Sequence, residues 1–575
     1  MNYPVVRNGI LLLLCLLPAQ ASAGALPDDQ RPPAQAVATA HPLATKAGMQ
    51  ILKAGGNAFD AAVAVSAALA VVEPTGSGLG GGGFWLLHRQ FDNLDLMIDG
   101  REVAPSAATG DMYLTREGVP DPLLSRDGPL AAGIPGEPAA LVHISRSFGK
   151  LPLTTSLSPA IRLAVEGFRV DAKLAGAIAR HQLRLSPAAR AIFVPGGKPL
   201  AEGDLLRQPE LALTLERIAK RGMKGFYEGD TAQMLVDGVH EDGGIWRLRD
   251  LRNYRVLERK PIRFQWRGYT VTTAALPSAG GIALAQVLPL LDRLAWPRVL
   301  EADSQHLVTE ALRRAYRDRA DYLGDPAFTP VPQTDLLAPS YLDRLARSIS
   351  PTTATLSASL PQPGDGPLRP EGSTTHFSIL DRKGNHVAAT LSINLPFGSG
   401  YMAPGTGVLL NDEMDDFATQ PLAANAYGLV GSKANGIRPG KRMLSSMTPT
   451  TLENEDGLLI IGTPGGSRII TMVLLGILEF VQGASADQIV SAPRYHHQFL
   501  PDEISYEEGA IEEDDGWALV GMGHSLRQLP YRYGNMQVVH WDKAGRSVAA
   551  ASDPRGVGGV LVLGPEALTQ TTTDQ

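Results

Sequence analysis

The side chains best suited to covalent chemistry meet at one junction in the second half of the sequence. Residues 351–372 are rich in Ser, Thr, Pro and Gly and contain hardly any large apolar side chain, which predicts a mobile surface loop. The loop ends at Ser373 and Thr374, and apolar residues then alternate with polar ones over 377–393, which predicts a β-hairpin. A hydroxyl group where such a loop meets a buried strand is a candidate nucleophile.

Charged residues in two other segments could bind an ionic substrate. Arg101 follows an apolar, strand-like run, and it is either a partly buried arginine paired with Asp99 or Glu102, or a fork for a substrate carboxylate. Residues 409–417 place four acids in an apolar frame. They form either a solvated loop or a set of partly buried carboxylates, for which a substrate ammonium group would be a partner.

A pair of glycines, Gly465 and Gly466, could stabilise negative charge on a reacting carbonyl. Two glycines in a turn can leave backbone N–H groups pointing into a cavity, which is the arrangement that an oxyanion hole needs. A tight turn without a catalytic role is the alternative. Ser445 and Ser446 add two adjacent hydroxyl groups to the candidate set.

Other motifs in the sequence match known signatures in the wrong context. Residues 78–83 fit the dinucleotide fingerprint, but a helix precedes them and a strand follows, which favours a tight backbone segment beside the site. Residues 147–150 fit S-x-x-K without the partner motifs of that enzyme class. His496 and His497, with Asp502 nearby, are interpreted as structural, because adjacent strand residues point to opposite faces. No metal site is predicted.

Several elements must position these candidates. Residues 44–55 are predicted to form a short helix, and residues 58–72, almost wholly small and apolar, a buried helix too short to span a membrane. A strand is predicted at 84–88, directly after the glycine-rich segment.

Composition limits the classes of function. The chain has 575 residues and a formal net charge of -7, which argues against a nucleic-acid partner. Residues 1–23 are predicted to be a secretory signal peptide, with an anchor helix left in place as the alternative. Cys15 is the only cysteine and lies in that leader, so covalent catalysis in the mature protein would use oxygen or nitrogen.

These segments together resemble the gamma-glutamyltranspeptidase family of N-terminal-nucleophile hydrolases over residues 36–556. The resemblance is carried by residues 55–62, 78–83, 277–281, 322–326 and 493–497. It implies an α+β fold with four αββα layers, in which two stacked, mainly antiparallel sheets lie between helical layers. It also implies self-cleavage between Ser373 and Thr374 into a large chain, 24–373, and a small chain, 374–575, which form one interleaved domain and a heterodimer.

The resemblance assigns roles residue by residue. Thr374 would be the nucleophile, with its freed α-amine as the base, and Ser392 stands where family members often have a second threonine. Gly465 and Gly466 would form the oxyanion hole, and Tyr427 would be the tip of a lid. The substrate's carboxylate and ammonium groups would be bound by a further set: Arg101, Ser445 and Ser446 for the carboxylate, and Asn394, Glu413 and Asp416 for the ammonium.

The implied reaction is transfer of the γ-glutamyl group of glutathione to water or to amino acids and dipeptides, without a cofactor. A related cephalosporin or glutaryl acylase is the nearest alternative. The acid set favours γ-glutamyl, because a glutaryl group has no ammonium to bind. A non-catalytic periplasmic homologue is the alternative from another class. The leader predicts secretion, with a periplasmic location if the source is Gram-negative.

Overall fold

The predicted hairpin lies at the centre of a large antiparallel sheet. This arrangement is seen in a computed structural model of the chain, which describes residues 26–27, 30–360, 373–420 and 423–564. The predicted signal peptide and residues 361–372 of the predicted loop lie outside the described residues.

The described residues form strands with the following bounds: β1 Gln35–Thr39, β2 Gly82–Arg89, β3 Leu94–Asp99, β4 Phe168–Arg169, β5 Leu205–Leu206, β6 Leu257–Arg259, β7 Ile262–Trp266, β8 Tyr269–Thr273, β9 Thr375–Leu380, β10 His386–Ser392, β11 Thr450–Glu453, β12 Gly457–Gly462, β13 Tyr495–His496, β14 Ile504–Tyr506, β15 Leu526–Gln528, β16 Gln537–Asp542, β17 Ser547–Ser552 and β18 Gly559–Leu563.

Two antiparallel sheets form the middle of the fold. The first has the strand order β18-β1-β9-β10-β2-β3-β6, and the second the order β17-β16-β12-β11-β8-β7. Strands β9 and β10 pack on β12 and β16, so the two sheets are stacked face to face. Side chains from both sheets, such as Ala388 and Ile460, belong to one buried apolar cluster.

The α-helices of the described residues have these bounds: α1 Pro42–Lys53, α2 Ala58–Val72, α3 Glu137–Ser147, α4 Leu153–Glu166, α5 Ala172–His181, α6 Pro187–Phe193, α7 Pro209–Arg221, α8 Lys224–Tyr227, α9 Gly229–Glu241, α10 Leu248–Asn253, α11 Gly280–Arg293, α12 Glu301–Tyr322, α13 Gln333–Leu336, α14 Pro339–Arg347, α15 Ile469–Val481, α16 Ala486–Ser491 and α17 Glu513–Gly521.

Helices cover the outer face of each sheet. Helix α2 packs on β9 and β10, while α11 contacts β7 and α15 contacts β12 of the second sheet. The predicted α+β class with four αββα layers is therefore confirmed. No helix among these residues is long and apolar enough to cross a membrane.

Helix α2 has the bounds that its composition predicts. All its residues are buried, and a capping box between Asn57 and Asp60 satisfies backbone N–H groups at its start. The helix predicted at 44–55 is α1, two residues earlier at each end, and the strand predicted at 84–88 is the longer β2.

The glycine-rich segment at 78–83 packs against backbone, as its context predicts. A Cβ atom on Gly80 would lie 1.9 Å from the carbonyl oxygen of Leu409, and one on Gly81 would lie 2.1 Å from that of Ser392. Side chains are excluded at both positions, so β2 lies close beside β10 and the segment that carries the four acids.

The described part of the predicted loop, residues 351–360, contains no α-helix or strand, in agreement with the prediction. It is nevertheless attached to the protein at Ser357. This residue is buried, and its backbone N–H donates to Asp502 Oδ2 at 2.6 Å.

Candidate active site

Thr374 lies immediately before β9, with its hydroxyl against the preceding peptide. Thr374 Oγ1 donates a hydrogen bond of 2.5 Å to the carbonyl oxygen of Ser373. Ser392, at the end of β10, lies 3.3 Å from Thr374 Oγ1 and donates to the same carbonyl at 3.3 Å. The backbone N–H of Asn394 donates to Ser392 Oγ at 2.8 Å, which orients this hydroxyl.

The antiparallel pairing of β9 and β10 brings the two hydroxyl groups together. Leu391 pairs with Thr375, so Ser392 at the end of one strand falls beside Thr374 before the start of the other. Both residues are buried. The hairpin predicted from sequence is thus the element that places the candidate nucleophile and its neighbouring hydroxyl.

Nearly all the predicted site residues line one small cavity of about 20 Å³. Its lining comprises Arg101, Thr374, Ser392, Asn394, Glu413, Asp416, Tyr427, Leu429, Ser445, Ser446, Met447, Gly466 and Ile469. Gly465 is the predicted residue outside this lining, and it borders a second cavity that also includes Thr374.

Arg101 is buried and paired with both predicted acids. Its Nη1 donates to Glu413 Oε2 at 2.5 Å and its Nη2 to Asp416 Oδ2 at 2.6 Å, whereas Glu102 lies farther away, at 3.4 Å. Asp99 accepts from the backbone N–H of Arg101 instead. The predicted pair with Glu102 is therefore present, but the acids of 409–417 are the closer partners.

Burial and the neighbouring opposite charges shift the pKa values of Arg101 and Asp416 in opposite directions. Burial lowers the pKa of Arg101, but the carboxylates of Glu413, Glu102 and Asp416 outweigh it and raise the pKa above its usual value. Burial raises the pKa of Asp416 to about 6, despite the opposing charge of Arg101.

Two polar atoms in the small cavity have no hydrogen-bond partner among the described residues. They are Glu413 Oε1 and Ser446 Oγ, and both are buried. The hydroxyl of Ser445 accepts from the backbone N–H of Met447 at 3.1 Å. The amide of Asn394 donates to Asp412, at 3.0 Å to its carbonyl and 3.2 Å to its carboxylate.

Gly465 and Gly466 adopt backbone conformations that favour glycine. Their φ angles are 143° and 58°. Among the residues that the structure describes, neither N–H group donates a hydrogen bond to a protein atom. The turn therefore leaves donors available next to Thr374.

Tyr427 covers this turn. Its hydroxyl donates to the carbonyl oxygen of Asn394 at 2.7 Å, and a Cβ atom on Gly466 would lie 2.4 Å from its ring. The side chain is buried. Tyr427, the predicted tip of the lid, therefore lines the small cavity and packs against the glycine turn.

Comparison with known proteins identifies the family of the chain. Residues 44–563 match the family described as Gamma-glutamyltranspeptidase. The chain belongs to the gamma-glutamyltranspeptidase family. A relative from Pseudomonas aeruginosa, named glutathione hydrolase proenzyme, is 42% identical over 98% of this chain and 100% of its own.

Solved structures support the same assignment. A cephalosporin acylase from Bacillus halodurans superposes with a TM-score of 0.81 at 26% identity, covering 96% of this chain and 99% of its own. A gamma-glutamyltranspeptidase from Helicobacter pylori is 38% identical, with a TM-score of 0.54, over 57% of this chain and 95% of its own. The fold is that of the N-terminal-nucleophile hydrolases.

Two residues near the gamma-glutamyltranspeptidase site were missed in the sequence analysis. Asp412 holds Asn394, and Glu73 accepts a hydrogen bond of 2.6 Å from Thr375 Oγ1. Asp412 was visible as one of the four acids at 409–417. Glu73 follows the buried helix α2, and no local pattern relates it to a residue 302 positions later.

The histidines at 496 and 497 have separate partners, in agreement with a structural role. His496 contacts Thr471 at 2.9 Å and Gln498 at 2.8 Å, while His497 pairs with Asp502 at 3.2 Å. They do not share a ligand.

One other group, His306, Glu310 and His524, has potential metal ligands within 4.8 Å of one another among the described residues. The histidines hydrogen-bond each other at 2.8 Å, and Glu310 pairs with Arg313 at 3.1 Å and Arg314 at 2.6 Å. Two adjacent guanidinium groups oppose cation binding, so this cluster fits a network of internal hydrogen bonds better than a metal site.

Proposed function

We propose that the protein cleaves its own chain between Ser373 and Thr374 and then hydrolyses or transfers γ-glutamyl groups through an ester on Thr374. The observation that carries the proposal is the contact of Thr374 Oγ1 with the Ser373 carbonyl oxygen, at 2.5 Å. This contact places the hydroxyl next to the carbonyl group that self-cleavage requires.

The cleavage step moves one acyl group from nitrogen to oxygen. Thr374 Oγ1 bonds to the carbonyl carbon of Ser373, the C–N bond to Thr374 breaks, and the hydroxyl proton passes to the departing amine. Water then opens the ester, which frees a carboxylate on Ser373 and the hydroxyl of Thr374. The new α-amine, with a reference pKa of about 7.7–8.0, supplies the base that a lone hydroxyl lacks.

The large and small chains produced by cleavage would remain associated. Strand β1, from the large chain 24–373, pairs with both β9 and β18 of the small chain 374–575. Strand β2 of the large chain also pairs with β10 of the small chain. Separating the chains would therefore expose the edges of five strands in the central sheet, so a stable heterodimer is expected.

The charged residues account for selection of a γ-glutamyl group. Arg101, with Ser445 and Ser446, would bind the α-carboxylate, while Glu413, Asp416 and Asn394 would bind the α-ammonium. A zwitterion brings one charge of each sign, so it can replace the internal ion pairs without leaving a buried charge unpaired. The partnerless atoms Glu413 Oε1 and Ser446 Oγ match an ammonium donor and a carboxylate acceptor respectively.

The acyl step would use the same machinery as self-cleavage. Thr374 Oγ1 attacks the γ-carbonyl carbon, the N–H groups of Gly465 and Gly466 stabilise the oxyanion, and the amine leaves with a proton. Water or the amine of an amino acid or dipeptide then takes the acyl group. Glutathione is the donor that the names of the relatives suggest. This chemistry requires no metal or cofactor.

The nearest competing function is that of a cephalosporin or glutaryl acylase, because a cephalosporin acylase shares the fold at a TM-score of 0.81. The buried pair of Glu413 and Asp416 favours γ-glutamyl, since a glutaryl group would leave these acids without an ammonium partner. The close contact at Thr374 disfavours a non-catalytic homologue. Residues 1–23 are proposed to direct secretion, to the periplasm in a Gram-negative source.

The decisive experiment is intact mass of the purified protein beside Thr374→Ala and Ser373→Ala variants. We expect two fragments from the unmutated protein, the smaller beginning at Thr374, and one uncut chain from Thr374→Ala. Ser373→Ala is the matched control and should still cleave, because Ser373 contributes its carbonyl group and not its side chain. A folded wild-type protein that stays uncut would refute the mechanism.

The acyl specificity needs a second measurement. We expect the processed protein to hydrolyse a γ-glutamyl anilide and to leave the matched glutaryl anilide, which lacks only the ammonium group, nearly untouched. Equal rates on both would favour the acylase function instead.

A further inference from the structure

A cavity of about 230 Å³ lies apart from the proposed active site. Its lining shares no residue with the two cavities that border Thr374. Helices α12, α15 and α17 contribute to this lining, and the residues of α15 follow one face of that helix, at positions 472, 475, 476 and 479. The cavity is therefore a separate feature of the fold that the proposed reaction does not use.

The lining of this cavity, which we call the acidic cavity, carries four carboxylate side chains: Glu301, Glu479, Glu512 and Asp515. None of them forms an ion pair with another residue that the structure describes. Arg494 is the one cation in the described lining, and it is buried and already pairs with Asp553 at 2.6 Å. Glu301 and Glu512 are exposed, so solvent reaches the acids. The negative charge of the lining is thus left without a counter-ion from the described protein.

Glu479 is the least favourably placed of these acids. It is half-buried in the last turn of α15, where the helix dipole disfavours negative charge, whereas Glu301 and Asp515 lie in the first turns of α12 and α17. Burial and the charge of Glu301 raise the pKa of Glu479. Burial and the charge of Asp515 raise the pKa of Glu301, although a hydrogen bond from Gln305 opposes this shift. A cation between these groups would relieve the repulsion.

Gln305 gives an independent indication of a ligand. The residue lines the same cavity and is only 4% exposed. Its Nε2 donates to the carbonyl oxygen of Ala510 at 3.1 Å, but its Oε1 is buried and has no hydrogen-bond partner among the described residues. A buried acceptor needs a donor. Carboxylates and this amide oxygen all accept hydrogen bonds, so the matching occupant is positively charged and donates hydrogen bonds.

Apolar side chains in the same lining favour an organic cation over a metal ion. They are Met472, Leu475, Ile489 and Met536. Ca²⁺ and Mg²⁺ prefer complete shells of oxygen ligands, which such side chains do not provide. Methylene groups are stabilised by burial against them, and Tyr495, which also lines the cavity, offers a ring that can attract an ammonium group. The volume is below the usual range for drug-sized ligands, about 300–1,000 Å³, and so fits a small molecule.

We propose that the acidic cavity binds an aliphatic diamine or polyamine. The ammonium groups of this ligand pair with Glu479 and Glu301 and donate a hydrogen bond to Gln305 Oε1, while its methylene chain packs on the apolar face of α15. More than one ammonium group is expected, because the unpaired acids come from separate helices. The proposal does not depend on the function proposed above, since no residue of the acidic cavity takes part in that reaction.

The test is isothermal titration calorimetry of the full chain carrying Thr374→Ala, at about 0.15 M NaCl to screen non-specific attraction. This substitution keeps the chain uncut and prevents transfer of an acyl group to the amine. Three probes are titrated: cadaverine, pentane-1,5-diol, which replaces both ammonium groups of cadaverine by hydroxyl groups, and calcium chloride. We expect saturable binding of one cadaverine per chain, and no binding of the diol or of calcium at the same concentration.

Variants of the lining test the contacts. Glu479→Gln should weaken cadaverine binding by about 10-fold or more, the order expected for loss of a charge-assisted hydrogen bond. Gln305→Met keeps the length of the side chain but removes the unpartnered oxygen, and it should weaken binding by about 3- to 10-fold. Glu513→Gln is the matched control, because it makes the same change of charge at an exposed position of α17 outside the lining. Its dissociation constant should change by less than about 3-fold.

Thermal unfolding distinguishes a lost contact from a damaged fold. Without ligand, Glu479→Gln should unfold at no lower a temperature than the parent, because it removes an unpaired carboxylate from the last turn of α15. Cadaverine should raise the melting temperature of the parent more than that of the variant, since it binds only the folded state. If Glu479→Gln nevertheless fails to fold, Gln305→Met and the comparison of cadaverine with the diol decide the question.

The proposal is overturned if cadaverine does not bind, if the diol binds as tightly, or if Glu479→Gln leaves the dissociation constant unchanged. Calcium binding that is lost in Glu479→Gln, without binding of cadaverine, would assign a metal site instead. These outcomes are distinct from failure of the proposed function, which is tested by self-cleavage and by anilide hydrolysis in the processed wild type.

Discussion

Arg101 and Glu413, which lie 312 positions apart in the chain, form an ion pair of 2.5 Å in which each side chain is 1% exposed. In this state, the group proposed to bind a substrate carboxylate and one proposed to bind a substrate ammonium neutralise each other. Each of these two charges therefore has an opposite charge beside it before substrate arrives. Removing one partner would leave a buried charge, which is much more costly than losing an exposed pair.

The stability of the Arg101 group can be tested by Arg101→Gln. We expect a loss of about 3–5 kcal/mol in the free energy of unfolding, because Glu413 and Asp416 lose their common cation. The control is Arg89→Gln, whose 2.6 Å pair with Asp92 is 34% and 40% exposed. It should cost less than about 1 kcal/mol. Urea unfolding in the Thr374→Ala background keeps the chain in one piece, and equal losses would contradict the argument.

The pH dependence of substrate binding should report Asp416. Burial raises the pKa of Asp416 to about 6, and only the ionised carboxylate can bind an ammonium group. We expect log kcat/KM for a γ-glutamyl anilide to fall more steeply below pH 6 than above it, where the α-amine of Thr374 alone limits the rate. Asp416→Asn should abolish the break near pH 6. A break that persists in the variant would assign it to another group.

Glu137 should make the protein less stable as the pH rises. Burial raises the pKa of Glu137 to about 8, and the backbone N–H of Gly78 offsets this only in part. Between its ordinary value of about 4.5 and pH 8, the folded protein holds a proton that the unfolded chain has lost, so the free energy of unfolding falls with rising pH.

Glu137→Gln should reduce this loss, which corresponds to about 1.4 kcal/mol per pKa unit. Urea unfolding at pH 5 and pH 8 measures it, again in the Thr374→Ala background. The variant should gain stability over the parent at pH 8 and much less at pH 5. A parallel pH dependence in both proteins would contradict the prediction.

Tyr427 and Gly466 should be energetically coupled. Gly466→Ala is expected to lower kcat/KM by at least about 10-fold, because the new methyl would lie 2.4 Å from the Tyr427 ring and φ is 58°. The double variant with Tyr427→Ala should lose less than the product of the two single losses. Gly440→Ala controls for strain, since φ is 73° there and no atom lies within 4 Å of the added methyl. If the double variant loses the full product of the two single losses, Tyr427 and Gly466 are not coupled through this contact.

The hydroxyl of Ser392 should assist self-cleavage. It lies 3.3 Å from both Thr374 Oγ1 and the Ser373 carbonyl oxygen, so it can stabilise charge that develops on that carbonyl. Ser392→Ala should slow processing by about 100- to 1,000-fold, the order found for loss of one oxyanion donor. Ser392→Thr, which keeps the hydroxyl, should process at close to the wild-type rate. Mass spectrometry over time after synthesis measures this, and equal rates for Ala and Thr would rule out the role.

Much of the fold could be predicted from local patterns in the amino-acid sequence. The alternation over 377–393 predicted the hairpin β9–β10, and the uniformly apolar run at 58–72 predicted α2 with its observed bounds. The predicted order of helix, glycine segment and strand is also the observed one, since α2 precedes residues 78–83 and β2 follows them. Such features depend on neighbours in the chain, through periodicity and backbone sterics, so the sequence alone is sufficient.

The sequence by itself determined the elements, the family resemblance and the hydroxyl junction at Thr374. Only the tertiary structure decided that Arg101 pairs with Glu413 and Asp416, that Tyr427 covers Gly466, and that Arg468 is buried with no ion pair to another described residue. These contacts join residues on different elements, and a charged residue looks the same in the sequence whether its partner is buried beside it or absent. Burial and pairing, which set the energy of a charge, are properties of the packed chain.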